Sequence, residues 1–175
     1  PWNLKYSVGG SSGGAGAAVA SGIVPIAHAN DGGGSIRIPA ACNGLVGMKP
    51  TRGRTPTGPD SGIFLWGLAV EFALTRSVRD SAALLDAVSG PDEGYFYTAE
   101  APKGSFLSAT MSDPGSLRIG VIEQLPGCAK PKKESLNKLN ETRVLLEGLG
   151  HTCETVKLHY SAEEFNESTI RLWAS

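Results

Sequence analysis

Glycine constrains this sequence more than any other residue. Twenty-three of the 175 residues are glycine, and fourteen of those fall before Ile63. The share is nearly twice the usual ~7%. Glycine reaches backbone conformations closed to other residues and lets groups approach the main chain closely. Two clusters stand out. Gly9-Gly10-Ser11-Ser12-Gly13-Gly14 leads into a run of small residues, and Asp31-Gly32-Gly33-Gly34-Ser35 follows after one intervening stretch. Taken alone, the first cluster is open to three readings: a flexible linker, a phosphate-cradling loop, or part of an active site.

The surrounding composition narrows the field. Charged residues make up 19% and hydrophobic residues 41%, with a net charge of -1. That is a globular chain with no electrostatic reason to bind nucleic acid or an anionic membrane. No run approaches the ~20 apolar residues needed to span a bilayer, so no membrane partner is expected. No basic start leads into an apolar stretch, so no signal peptide is expected either. Cys42, Cys128 and Cys153 are odd in number, far apart and form no CxxC pair. Neither a disulfide nor a metal site follows from them, no cofactor is implied, and a reducing cytoplasm fits best. The sequence opens on Pro1 and closes on the apolar, helix-like STIRLWAS. It is expected to be an internal fragment, residues 1–175, of a single larger domain.

Local pattern gives an α/β fold, a mixed sheet covered by helices on both faces. Residues 15–21 are small and helix-compatible, with glycine and alanine placed for packing almost backbone to backbone. IVPIAHA, residues 23–29, reads as a buried strand. Ser35 is placed to N-cap a helix through IRIPAACNG, with Pro39 in its first turn and Gly44 as its stop. LVGMKP reads as a short strand, and TRGRTPTGPDSG as loop. Ser77-Val78-Arg79-Asp80 resembles a capping box ahead of a helix that ends at Gly90-Pro91. Residues 95–112 read as an irregular connection. LRIGVIE, a helix carrying Leu136, Leu139, Leu146 and Leu149 with Gly148 and Gly150 as stops, and TCETVKL together read as a β-α-β unit with a parallel pair and a right-handed crossover. SAEEFNESTIRLWA begins a last helix.

Known motifs remove some readings of the first cluster. A phosphate loop needs GxxxxGK[ST], and GGSSGGAGAA has no lysine at that place. The dinucleotide fingerprint needs a preceding strand, which PWNLKYSV does not supply. GGSSG and GSSGG match the GxSxG elbow, but again without the strand. His28, His151 and His159 stand apart and read as ordinary surface or core residues.

Both clusters together point further. The unbroken segment from Gly9 to Pro39, with Ala17, Val19, Ala20, Ala27, Ala29, Asp31, Gly33, Ser35, Arg37 and Pro39, closely resembles the signature segment of the amidase signature family of serine hydrolases. GLVGMKPTRGR, LTRSVRDSAALLDA and the LRIGV and LLEGLGH stretches are also similar to that family. The resemblance implies the family's Ser–cis-Ser–Lys triad, with Ser35 as nucleophile and Ser11 as the bridging serine in a cis peptide after Gly10. It implies an oxyanion hole from the backbone N–H groups of Gly32, Gly33, Gly34 and Ser35. Ser12 would support by hydrogen bonding, and Asp31 and Arg37 would hold the loop by charge-assisted hydrogen bonds. The family's lysine lies well upstream of the bridging serine. Neither Lys5 nor Lys49 stands at that place, so the 175-residue piece alone is expected to show little or no turnover.

The resemblance also bears on substrate. AACNGLVGMKPTRGR and VEFALTRSVRDSAALLDA look most like bacterial amidases of the 6-aminohexanoate-cyclic-dimer hydrolase type, which implies secondary or cyclic amides. Phe64, Trp66, Tyr95, Phe96 and Tyr97 are candidates for an acyl pocket. The partner implied is a small-molecule amide, with a homodimer left open. Two alternatives stand beside this reading: the amidase subunit of a tRNA-dependent amidotransferase, and a non-catalytic member of the fold.

Overall fold

The computed structural model describes residues 2–58, 64–91 and 98–174. It divides into two compact units, Pro1–Ser112 and Asp113–Ser175. The first holds helix α1 (Gly13–Ala20), strand β1 (Ile26–Asp31), helix α2 (Arg37–Asn43), strand β2 (Val46–Gly47), strand β3 (Val70–Thr75), helix α3 (Val78–Val88) and helix α4 (Phe106–Ala109). The expected α/β class is observed.

The first unit's sheet has the order β1-β3-β2, and both pairings are antiparallel. Its central strand, β3, was not assigned from the sequence. VEFALT shows no polar alternation because five of its six residues are buried. Alternation marks a strand with one wet face, and a central strand covered on both faces lacks that mark. In register, Ala29 lies opposite Phe72 and Asp31 opposite Val70. Ala29, Phe72 and Leu74 share one face and form the core with Val19 of α1, Ala40 of α2, Ile36 and Leu85. Val19, Ile36 and Leu74 have no exposed surface. Each such side chain contributes about 1.5–3 kcal/mol. On the opposite face Ile26, His28, Asn30 and Glu71 border a cleft of about 630 Å³ with Leu84 and Val88 of α3.

Small residues let the helices close on one another. A β-carbon at Gly16 of α1 would lie 3.2 Å from Pro39 Cβ and 3.1 Å from Asn43 Nδ2 of α2. The expected near-backbone packing is therefore present. Gly44 ends α2 in the left-handed conformation (φ 67°), where glycine carries no penalty. Ser77 caps α3 by accepting the Asp80 N–H at 3.1 Å. Among the described residues of the stretch expected to be irregular, 95–112, Phe106–Ala109 form the short helix α4. Asp86 of α3 fixes it by accepting the N–H groups of Phe106 (2.6 Å) and Leu107 (2.9 Å).

In the second unit, strands β4 (Arg118–Val121) and β5 (Thr152–Thr155) pair in parallel, joined through helix α5 (Lys133–Gly148) and followed by helix α6 (Ala162–Ala174). Leu136 and Leu139 of α5 lie beside Val121 around a small cleft. Leu149, expected on the apolar stripe, is instead 65% exposed. It falls after the last helical residue, where Gly150 (φ 91°) turns the chain. Among the described residues, no helix is long and apolar enough to cross a membrane.

Candidate active site

The second glycine cluster begins where β1 stops. Asp31, the last residue of β1, is wholly buried. Its Oδ1 accepts the Gly34 N–H at 2.7 Å, and its Oδ2 accepts the N–H groups of Ile36 (3.2 Å) and Arg37 (3.3 Å). The Arg37 guanidinium grips both oxygens, Nε to Oδ2 and Nη2 to Oδ1, each at 2.9 Å. Burial alone pushes this carboxyl up. The Arg37 guanidinium and the N–H groups of Gly34, Arg37 and Ile36 outweigh burial and hold it at about 2.

This arrangement corrects one expectation and narrows another. Ser35 does not cap α2: Ile36 occupies the cap position without a side-chain bond. Asp31 takes up the first N–H groups of the helix instead, because an anion at a helix start satisfies both the orphan donors and the dipole. The Ser35 hydroxyl, half-buried, is left uncommitted among the described residues. The Gly34 N–H, expected in the oxyanion hole, is spent on Asp31. The N–H groups of Gly33 and Ser35 have no such partner among the described residues. Gly34 also has φ 124°, a conformation that L side chains rarely adopt.

The first cluster lies against the same helix. The Gly10–Ser11 peptide is cis, and Gly10 and Ser11 are exposed. Ser12 Oγ reaches the Asn30 carbonyl at 3.5 Å, at the long limit of a hydrogen bond. Ile38 of α2 joins the clusters. A β-carbon at Gly9 would lie 3.1 Å from Ile38 Cγ2, and one at Gly34 would lie 2.8 Å from Ile38 Cδ1. Both glycine loops therefore pack on one side chain.

Other candidates fall elsewhere. Phe64 and Trp66 are 55% and 69% exposed, and Tyr95, Phe96 and Tyr97 lie outside the described residues. Leu65, between the two exposed aromatics, meets the loop: a β-carbon at Gly32 would lie 2.5 Å from Leu65 Cδ1. His28 pairs with Glu71 (2.8 Å) on the cleft side of the sheet. Lys5 is exposed and Lys49 half-buried. Ile38 and Asn43 of α2 also hold the loops here. No local signal marks them, because their role comes from which loops the fold brings to α2.

A family model described as Amidase matches residues 1–175. The 6-aminohexanoate-cyclic-dimer hydrolase of Pseudomonas sp. (strain NK87) is 52% identical over 129 residues, covering 72% of this chain and 26% of that protein. Among solved structures, a 6-aminohexanoate cyclic dimer hydrolase complexed with substrate has a TM-score of 0.85 at 44% identity, over 89% of this chain and 33% of the other. A bacterial aryl acylamidase has a TM-score of 0.87 at 34% identity, over 98% and 35% of the two chains. The chain thus spans roughly a third or less of the length of these relatives.

Proposed function

The chain belongs to the amidase signature family, and on that premise we propose that it carries the serine pair of an amide hydrolase, with Ser35 as nucleophile and Ser11 as proton relay. One observation supports this reading above the others. Asp31 gathers the N–H groups of Gly34, Ile36 and Arg37, so the turn is rigid while the Ser35 hydroxyl stays uncommitted. A nucleophile needs such a fixed backbone and a free oxygen.

The reaction follows from those groups. Ser35 Oγ attacks the amide carbonyl carbon and passes its proton to Ser11 Oγ. Ser11 passes its own proton to the lysine that completes the family's triad, which must be neutral to accept it. The carbonyl oxygen becomes an oxyanion, received by the N–H groups of Gly32, Gly33 and Ser35. Each such donor contributes about 3–4 kcal/mol to the transition state. The C–N bond then breaks, and the amine leaves with a proton returned through Ser11. Water attacks the Ser35 ester, releases the carboxylic acid and restores the hydroxyl.

For substrate we propose a secondary amide of the aminohexanoate type, linear or cyclic. The 52% identity to a protein of that name supports it. In the full-length protein, Ser35→Ala is expected to abolish turnover of such amides and labelling by a fluorophosphonate. Unchanged turnover in Ser35→Ala would refute the assignment.

A further inference from the structure

Asn43, the last residue of α2, is 1% exposed. Its side-chain amide has two hydrogens, and both are spent on backbone carbonyls. Nδ2 donates to Val8 O at 2.8 Å and to Pro39 O at 2.8 Å. Val8 directly precedes Gly9-Gly10-Ser11, and Pro39 lies four residues after Ser35. One nitrogen thus joins the segment before Ser11 to the helix after Ser35. Gly16 makes room for it, since a β-carbon there would lie 3.1 Å from Nδ2. Among the described residues, Asn43 Oδ1 is buried without a hydrogen-bond partner. A residue serving only to fill the core would be apolar, because an unpaired buried oxygen is unfavourable. The donors, not the volume, account for an asparagine here.

We infer that Asn43 is a positioning residue for the serine pair, holding the Ser11 segment against the helix that follows Ser35 and so setting the path of the proton between the two hydroxyls. The inference rests on the reading of Ser35 and Ser11 given above. It predicts a loss in catalysis larger than any loss in binding. A small displacement of reacting groups costs up to about a hundredfold in rate, whereas substrate contacts remote from the tie are unchanged.

The test uses the full-length protein with Asn43→Asp, which keeps the shape and removes the donors, and Asn43→Ser, which offers one donor on a shorter arm. In both, kcat and the rate of Ser35 phosphonylation are expected to fall at least roughly tenfold, with KM within about threefold. For Asn43→Asp the deficit should shrink as pH falls and the introduced carboxyl gains a proton, hence a donor. Turnover and phosphonylation within about threefold of wild type in either folded variant would overturn the inference, even if the melting temperature drops. Failure of both variants to fold would also overturn it, since the residue would then be structural. Ser35→Ala is measured alongside. If it stays active, the serine assignment fails and takes this inference with it; if it is inactive while the Asn43 variants are not, only the inference fails.

Discussion

Replacing Asp31 by asparagine tests how the nucleophile turn is held. The carboxylate accepts five N–H groups, two on Oδ1 and three on Oδ2. An amide keeps one oxygen, so at least two of the five donors would face an NH2 group. Hydrogen bonds to a charged group contribute about 1.5–3 kcal/mol each. The Arg37 side chain is half exposed and regains water, which discounts its share. The net loss is about 3 kcal/mol. A second route gives a similar figure. An unperturbed aspartate titrates near about 3.9, and this one is held at about 2. The gap corresponds to roughly 2–3 kcal/mol. Because the folded value is the lower one, this stabilisation is complete above about pH 5 and is lost progressively as pH falls from there through about pH 2. Urea unfolding of full-length wild type and Asp31→Asn, followed from neutral pH into acid, reads both effects. The variant should be less stable by about 3 kcal/mol at neutral pH. That difference should hold down to about pH 5 and then narrow. Equal stability at neutral pH, or a difference that collapses between about pH 6 and 8, would refute the reasoning.

Two further substitutions separate the site from the scaffold. Gly34→Ala forces a side chain into φ 124° and brings its Cβ to 2.8 Å from Ile38 Cδ1. It should cost about 1–3 kcal/mol, read as a lower melting temperature, and lower kcat as well. Ser77→Ala removes the bond to the Asp80 N–H that caps α3. It should cost about 1 kcal/mol and leave kcat unchanged, so a loss of turnover there would argue that α3 participates in the site.

Much of the fold was legible because its signals are local. Ser77 marks the start of α3, Gly44 the end of α2, and the alternation of strand and helix in the second unit marks the parallel pair. The central strand β3 was not legible, since burial on both faces erases the pattern that identifies a strand. At the site, the serines and the Asp31–Arg37 pair were readable through their spacing and the family resemblance. The cap of α2 was misread because Ser35 stands where a capping residue would, while the buried carboxylate four residues earlier is the stronger acceptor. Asn43 was invisible for another reason. Its partners Val8 and Pro39 come together only through tertiary packing, and a hydrogen bond across 35 residues has no local trace.

The contact of Ile38 with both Gly9 and Gly34 bears on how this site can evolve. Trimming Ile38 would open room beside Gly34, whereas at Gly9 Cys42 Sγ (3.1 Å) and the Ile38 carbonyl (3.2 Å) would remain, and φ 80° at Gly9 and 124° at Gly34 would still disfavour other residues. Each glycine is thus locked twice, by neighbour and by dihedral, and no single compensating change releases it. Gly32 is locked once, by the tip of Leu65, and its φ lies outside the positive range. Variation that reshapes the site without dismantling it has its opening there, in the Gly32–Leu65 pair.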